Sequence, residues 1–416
     1  MTIKLHKNFI YFIRSLRICG ILPTVDGNNG EKTARRHFWP IFLTVAAWLN
    51  AGRMATHVIW LPKLDMVNIL VATLIIFYAF LGAFIRTIYT LANLKAGFPQ
   101  LLDNLTENDC PLRRDLESSD LMCQFRPKTR TFLVLHIYSW IYVICNNFFI
   151  VGLGFIMKDS SSVNLLATPF QLGDDLLYYI GMFILGFLQF ATDTGIIFGN
   201  IFVVAYTLGL EKKFMLITEW IKKQAIPPER QRKMVISTTQ EPNTTLDING
   251  IRLAHLYWLM RVKEFDKKVR YIIGITMTFG FFGLLSNIYL IIWGGRELML
   301  TIGYASWAWT SIFLLFCHLL SSAHLNKTTV DITETLYQIP TYNLFKIDQA
   351  FANFQILINQ CTSEPIALTF FDFFYLRNES VMAVITEKKS KFKSNFYFYF
   401  TVDGFTDYLL FDSDGF

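Results

Sequence analysis

Six long apolar runs and a seventh, interrupted one lie between Ile41 and Thr386, with polar connections between them. A bilayer core about 30 Å thick takes roughly 20 residues of helix to cross, and the runs meet that length. They predict spans over residues 41–61, 66–92, 131–157, 176–210, 271–293, 298–322 and 366–386. The connection Pro62-Lys63-Leu64-Asp65 has room only for a tight turn between the first two. The fourth stays apolar from Leu176 to Leu210 and would reach roughly 50 Å at 1.5 Å per residue, so it projects beyond the bilayer. The seventh contains Asp372, Arg377 and Glu379 and runs into Glu387-Lys388-Lys389-Ser390-Lys391, which makes it a degraded span. The predicted fold is all-α: a polytopic, seven-transmembrane helical bundle over 41–386, with an arm at 1–40 before it and an atypical tail at 387–416.

Cations crowd every second connection. The arm carries Lys4, Lys7, Arg14, Arg17, Lys32, Arg35 and Arg36, the second connection Lys95, Arg113, Arg114, Arg126, Lys128 and Arg130, and the fourth, between Lys212 and Arg270, is the richest. The first, third and fifth hold one each, Lys63, Lys158 and Arg296. Basic loops stay on the cytosolic side, so the N-terminus is expected there. The formal charge of +6 is thereby explained by topology, and no nucleic-acid partner is expected. Arg14 and Arg17 break the first apolar patch, Asn8 to Pro23, so no secretory signal is read there.

Between spans, Leu256, Leu259, Val262, Phe265 and Val269 recur at three- and four-residue steps, as do Ile347, Phe351, Phe354 and Ile358. Both patterns predict amphipathic cytosolic helices. Either they lie against their own bundle, or they form a collar where subunits meet. The hydrophobic fraction of 53% and the 40 phenylalanines suit lipid contact better than an aqueous surface. Cys145 and Cys317 fall in spans and the other four cysteines face the cytosol, so no disulfide framework is expected.

The sequence carries no phosphate loop, catalytic triad order or zinc motif, so an enzyme is not expected, nor any cofactor or metal. His136 and His318 lie in spans and are read as packing residues. Intramembrane polar residues are costly unless they face protein or water. Asp193 sits mid-way along the fourth span with Gln189 one turn before it; Asn146 and Asn147 lie in the third, Asn287 and Tyr289 in the fifth, and Tyr304 and Trp307 in the sixth. Together these are candidates for a pocket open to the outside, aromatic for stacking and polar for hydroxyls. The alternative is that the asparagines glue helices together and the aromatics form an interfacial belt. Arg53 and Arg86 are expected to snorkel or pair. The sequons at Asn104, Asn243 and Asn326 fall on the cytosolic side and are expected to be unused.

The cytosolic N-terminus, long fourth span, large basic fourth connection and amphipathic run before the last span resemble the insect chemoreceptor superfamily. Local sequence is most similar to its gustatory branch and, within that, the sugar-receptor group. The stretch Leu256-Tyr257-Trp258-Leu259-Met260-Arg261, running on to Ser286-Asn287-Ile288-Tyr289, resembles the family's segment leading through its fifth span. Ile339-Pro340-Thr341 with Phe351 to Phe354 is similar to the stretch before the last span. Ile366-Ala367-Leu368-Thr369 and Phe373-Phe374-Tyr375-Leu376 resemble the sugar group's Ala-Leu-Ser-Gly and Phe-Phe-x-Leu patterns. The likeness is detailed over residues 251–386 and architectural elsewhere. The family's closing Thr-Tyr and Gln-Phe signature is missing; Lys388, Lys389, Lys391, Lys393 and an aromatic tail stand there, as if the genuine final segment had been replaced.

The resemblance implies a taste receptor in the dendritic plasma membrane of a sensory neuron. It would be a ligand-gated cation channel, assembled as a homo- or hetero-tetramer with other gustatory receptors. The tastant would be small and polar, a sugar first of all. An odorant receptor of the same superfamily, with a drier pocket, is the nearest alternative, and a secondary transporter the next. A transporter predicts repeats that this chain lacks. A G-protein-coupled receptor predicts the opposite orientation.

Overall fold

The computed structural model describes residues 7–23, 33–59, 66–95, 97–106, 129–156, 175–225, 248–294, 298–338, 348–363, 366–371 and 374–376. Nine α-helices are described: α1 (Lys7–Ile18), α2 (Thr33–Ala55), α3 (Met66–Leu94), α4 (Gly97–Thr106), α5 (Thr129–Ile156), α6 (Asp175–Ala225), α7 (Ile248–Trp293), α8 (Leu298–Tyr337) and α9 (Asp348–Ser363). Two short strands follow, β1 (Thr369–Phe370) and β2 (Phe374–Tyr375), paired antiparallel with Thr369 opposite Tyr375. The chain is a polytopic helical membrane protein. Among the described residues, five helices are long and apolar enough to cross a bilayer: α3, α5, α6, α7 and α8. The predicted first span forms α2, but this helix is less apolar than those five.

Three helices run far past the bilayer. The 51 residues of α6 span roughly 75 Å at 1.5 Å per residue. The amphipathic run at Leu256–Val269 does not form a separate helix; it continues into the fifth span as one 46-residue helix. The second amphipathic run is α9, whose Phe354 and Leu357 enter the main apolar core.

The most buried span is α6, with 61% of its apolar window enclosed against 33% for α5. Phe198, Phe202, Phe214 and Ile221 on it are fully covered. Large apolar side chains of the surrounding helices, such as Phe77, Phe148 and Ile292, and Phe183 in the first part of α6, stay exposed because lipid, not water, is their solvent. Hydroxyls inside the spans bond back to the carbonyl one turn earlier. Examples are Thr87 to Ala83, Ser139 to Leu135 and Thr207 to Val203, each at 2.7–2.8 Å.

Glycines set the approach of α3 to α6. A Cβ at Gly82 would stand 2.9 Å from the carbonyl oxygen of Thr192, and one at Gly195 would stand 3.1 Å from that of Gly82. Small residues of this kind let membrane helices touch along their backbones. The Tyr89 hydroxyl donates to the Gly199 carbonyl at 2.6 Å and ties the same pair lower down.

The predicted seventh span begins differently. Residues 366–371 and 374–376 form the strand pair and its flanks, not a helix, and 377–386 lie outside the described residues. Phe371 adopts φ of +49°, and its ring packs where only a glycine fits on α7, at Gly274. The tail at 387–416, with the lysines noted above, is likewise outside the described residues.

Candidate functional site

Asp193 is fully buried in the middle of α6, and four side chains converge on it. Tyr78 of α3 donates to Oδ1 at 3.0 Å and Gln189 donates to the same oxygen at 2.7 Å. Asn146 and Asn147 of α5 donate to Oδ2 at 2.8 and 2.9 Å. An ionised carboxylate accepts about four hydrogen bonds, so this one is filled. Burial of a charge is tolerable only on such terms.

The network extends outward on both sides. Trp307 of α8 donates its indole N–H to Asn146 Oδ1 at 3.1 Å. Asn50 of α2 donates to Gln189 Oε1 at 3.3 Å and to Thr192 Oγ1 at 2.9 Å. Arg53 donates to Asn50 Oδ1 at 3.0 Å, which makes it paired and not snorkelling.

Beside this network lies a cavity of about 50 Å³, walled by α2, α3, α5, α6, α7 and α8. A single water needs roughly 10–15 Å³ on the same measure, so the space suits a compact molecule. Its polar wall holds Tyr78, Tyr142, Gln189, Thr276, Asn287, Trp307, Thr310 and Ser311. The apolar lining residues are Met54, Leu74, Ile75, Leu81, Ile150, Ile196, Phe279 and Leu314, all but Met54 on the same helices as the polar ones. Asp193 does not line the space; it stands one layer behind, holding Tyr78, Gln189 and Asn146 in place.

Of the residues singled out from sequence, Asn146, Asn147, Gln189 and Asp193 therefore meet in one network, and Gln189, Asn287 and Trp307 reach the cavity wall. Tyr304 is buried in a separate apolar cluster with Ala47, Ala51 and Val71. Tyr289 is 44% exposed on the outside of α7 and does not line the cavity. Sequence reasoning missed Tyr78, Tyr142, Thr276 and Asn50. Asn50 and Tyr78 carried the usable signal, a polar group in the middle of an apolar run. Tyr142 gives no such signal, because a tyrosine suits a core and a lipid boundary equally.

Below the cavity a second polar cluster joins three helices. Asn200 Oδ1 lies 2.9 Å from Thr276 Oγ1 and 2.8 Å from His318 Nε2. One turn on, Ser322 Oγ accepts from the Leu368 amide at 3.1 Å and donates to the Leu376 carbonyl at 2.9 Å. On the other side of the strand pair, Asp266 of α7 accepts from the Thr369 amide and hydroxyl, both at 2.7 Å.

Among the described residues the architecture is a polytopic helical bundle with a long central helix, a cavity between six helices and a strand pair after α9. The fold is that of the insect olfactory receptor OR5 from Machilis hrabei. The two structures superpose with a TM-score of 0.68 at 12% identity, over 91% of this chain and 94% of that one. The same receptor in complex with eugenol superposes with a TM-score of 0.66 at 13% identity, over 91% and 95%. No family model matches the sequence, and no curated protein does.

Proposed function

We propose that this chain is a chemosensory receptor subunit of the gustatory type, a ligand-gated cation channel opened by a small hydroxyl-bearing tastant, with sugars first among them. The observation that carries the reading is the cavity itself, where Trp307 and Phe279 meet the hydroxyl and amide groups organised by Asp193. Aromatic faces stack on a ring, and the polar wall reads its substituents. The space as it stands is smaller than a sugar ring, so the ligand would favour an arrangement in which the helices part. A ligand shifts an equilibrium by its differential affinity for the two states. The subunit works in the plasma membrane of a sensory dendrite with its N-terminus in the cytosol. It assembles as a homo- or hetero-tetramer through the cytosolic parts of α7, α8 and α9.

A second reading is favoured by the apolar share of the cavity lining, which includes Leu74, Ile75, Ile150, Ile196 and Phe279. The structurally similar receptor has been solved in complex with eugenol, a methoxy- and allyl-substituted phenol whose single hydroxyl and mostly apolar surface suit the apolar part of the lining. That would make the chain an odorant receptor with the same architecture.

One experiment separates the readings. The purified chain is titrated with a monosaccharide panel and with eugenol, and currents are recorded from cells expressing it, alone and with its last span restored. Saturable binding of a monosaccharide, weakened at least tenfold in Asp193→Asn, is expected. Binding of eugenol alone moves the assignment to the odorant class. If neither binds and neither evokes current, the receptor reading fails. Labelling near Arg35 on intact cells tests the topology: an extracellular label there overturns it.

A further inference from the structure

Among the described residues, two that line the cavity hold a buried polar atom with no partner: Tyr142, whose hydroxyl can donate or accept, and Asn287, whose amide oxygen can only accept. Asn287 is 3% exposed on α7, and its amide is oriented by Nδ2, which donates to the Gly283 carbonyl at 2.7 Å. That leaves Oδ1 buried and unpaired. The other nitrogens of the wall point elsewhere: Trp307 Nε1 is spent on Asn146 and Gln189 Nε2 donates to Asp193. The hydroxyls of Tyr78, Thr276 and Thr310 donate to Asp193, to Asn200 and to the Ser306 carbonyl. Tyr142 and Ser311 carry rotatable hydroxyls that serve either role.

From this arrangement we infer that Asn287 is a specificity-determining residue: through Oδ1 it demands a hydrogen-bond donor, a hydroxyl or N–H, on the ligand. The inference rests on the cavity being the ligand site and adds which chemistry it selects. A buried acceptor without a partner is a standing cost that the right ligand removes and the wrong one retains. A site built to bond a ligand hydroxyl therefore rejects the analogue lacking it, whereas an aliphatic wall discriminates weakly between the two. Ethers and ketones of the same shape bring only acceptors and leave Asn287 unmet. The glycine at 283 is part of the device. A Cβ there would lie 3.2 Å from Ser311 Oγ, so α7 and α8 close tightly around the Asn287 amide.

The test uses matched pairs on the full chain in lipid nanodiscs, read by equilibrium binding and thermal stabilisation. The probes are phenol against anisole, cyclohexanol against methoxycyclohexane, and D-glucose against its mono-deoxy analogues. The donor-bearing member is expected to bind at least about tenfold tighter in the pair that fits best, ~1.4 kcal/mol. In Asn287→Leu the ratio should fall to about one, while Asn287→Ser, which keeps an acceptor, should retain part of it. Equal affinities within every binding pair overturn the inference and leave the cavity as a ligand site. A ratio that survives in Asn287→Leu overturns it too. If no member of any pair binds, the ligand-site reading falls and takes this one with it. The pair comparison is made on the unaltered chain, so it stands even if a variant fails to fold.

Discussion

Two buried charges face opposite sides of the same turn of α6, and they are held in different ways. Arg86 of α3 is fully enclosed and is satisfied by the Ala191 carbonyl, the Thr194 hydroxyl and, at 2.9 Å, the Cys19 carbonyl at the end of α1. Two of its partners are main-chain atoms, and it does not line the cavity described above. Asp193 is satisfied by side chains alone, three of them amides, and two of those four donors also line the cavity. A charge fixed to backbone locks helices together. A charge fixed to side chains organises a surface. The first is read as architecture and the second as recognition, although both look alike in sequence as a lone ionisable residue in an apolar run.

The largest effect should come from Arg86→Met, which leaves the end of α1 and the Ala191 carbonyl without their donor. Hydrogen bonds to a charged group are worth about 1.5–3 kcal/mol each, so a loss of about 3 kcal/mol or more is expected. It would be read as collapsed folded yield and a lowered melting point in detergent. The comparison breaks if this variant melts normally yet loses ligand. Next is Asp193→Asn, where an amide faces four donors with fewer acceptors than before. About 2 kcal/mol of stability should go, together with at least a tenfold loss of ligand affinity. A variant that binds ligand as before would move Asp193 to the architectural side.

Thr369→Val is milder. It removes one of two bonds to Asp266 and keeps the backbone one, so about 1 kcal/mol is lost, seen as faster amide exchange confined to the strand pair. Smallest is a reactivity effect. Burial pushes the Cys361 thiol of α9 up to about 12, with a Thr333 hydrogen bond acting weakly the other way. Below that value the thiol stays protonated. At pH 8 roughly one molecule in ten thousand carries the thiolate, the reactive form. Iodoacetamide should therefore leave Cys361 unmodified in the folded chain and alkylate it after denaturation.

The bundle is largely legible in the sequence. Apolar run length gives six of the helices directly, because in lipid every backbone group must be satisfied within its own segment. The unbroken helix from Ile248 to Trp293 was not legible: Lys267, Lys268 and Arg270 read as a boundary, whereas a helix crosses from water to lipid without interruption. The strand pair was hidden for a related reason. Ile366 to Leu376 is apolar enough to pass for a span, and only its contacts with Asp266 and Ser322 decide otherwise. At the site, Asp193 and its asparagine neighbours announced themselves by cost. Tyr78 and Asn50 carry the same signal more faintly, and Tyr289 and Tyr304 carry it although neither lines the cavity. Tyrosine is comfortable both at a lipid boundary and in a core, so its presence says little about which.

The strand pair has a mechanical corollary. It is bolted to Asp266 on one helix and to Ser322 on another, while Phe371 is seated in a notch at Gly274. Those same two helices, α7 and α8, form a wall of the cavity through Asn287 and Trp307. A shift of α7 against α8 at the cavity is thus passed on to the strand pair that both helices hold.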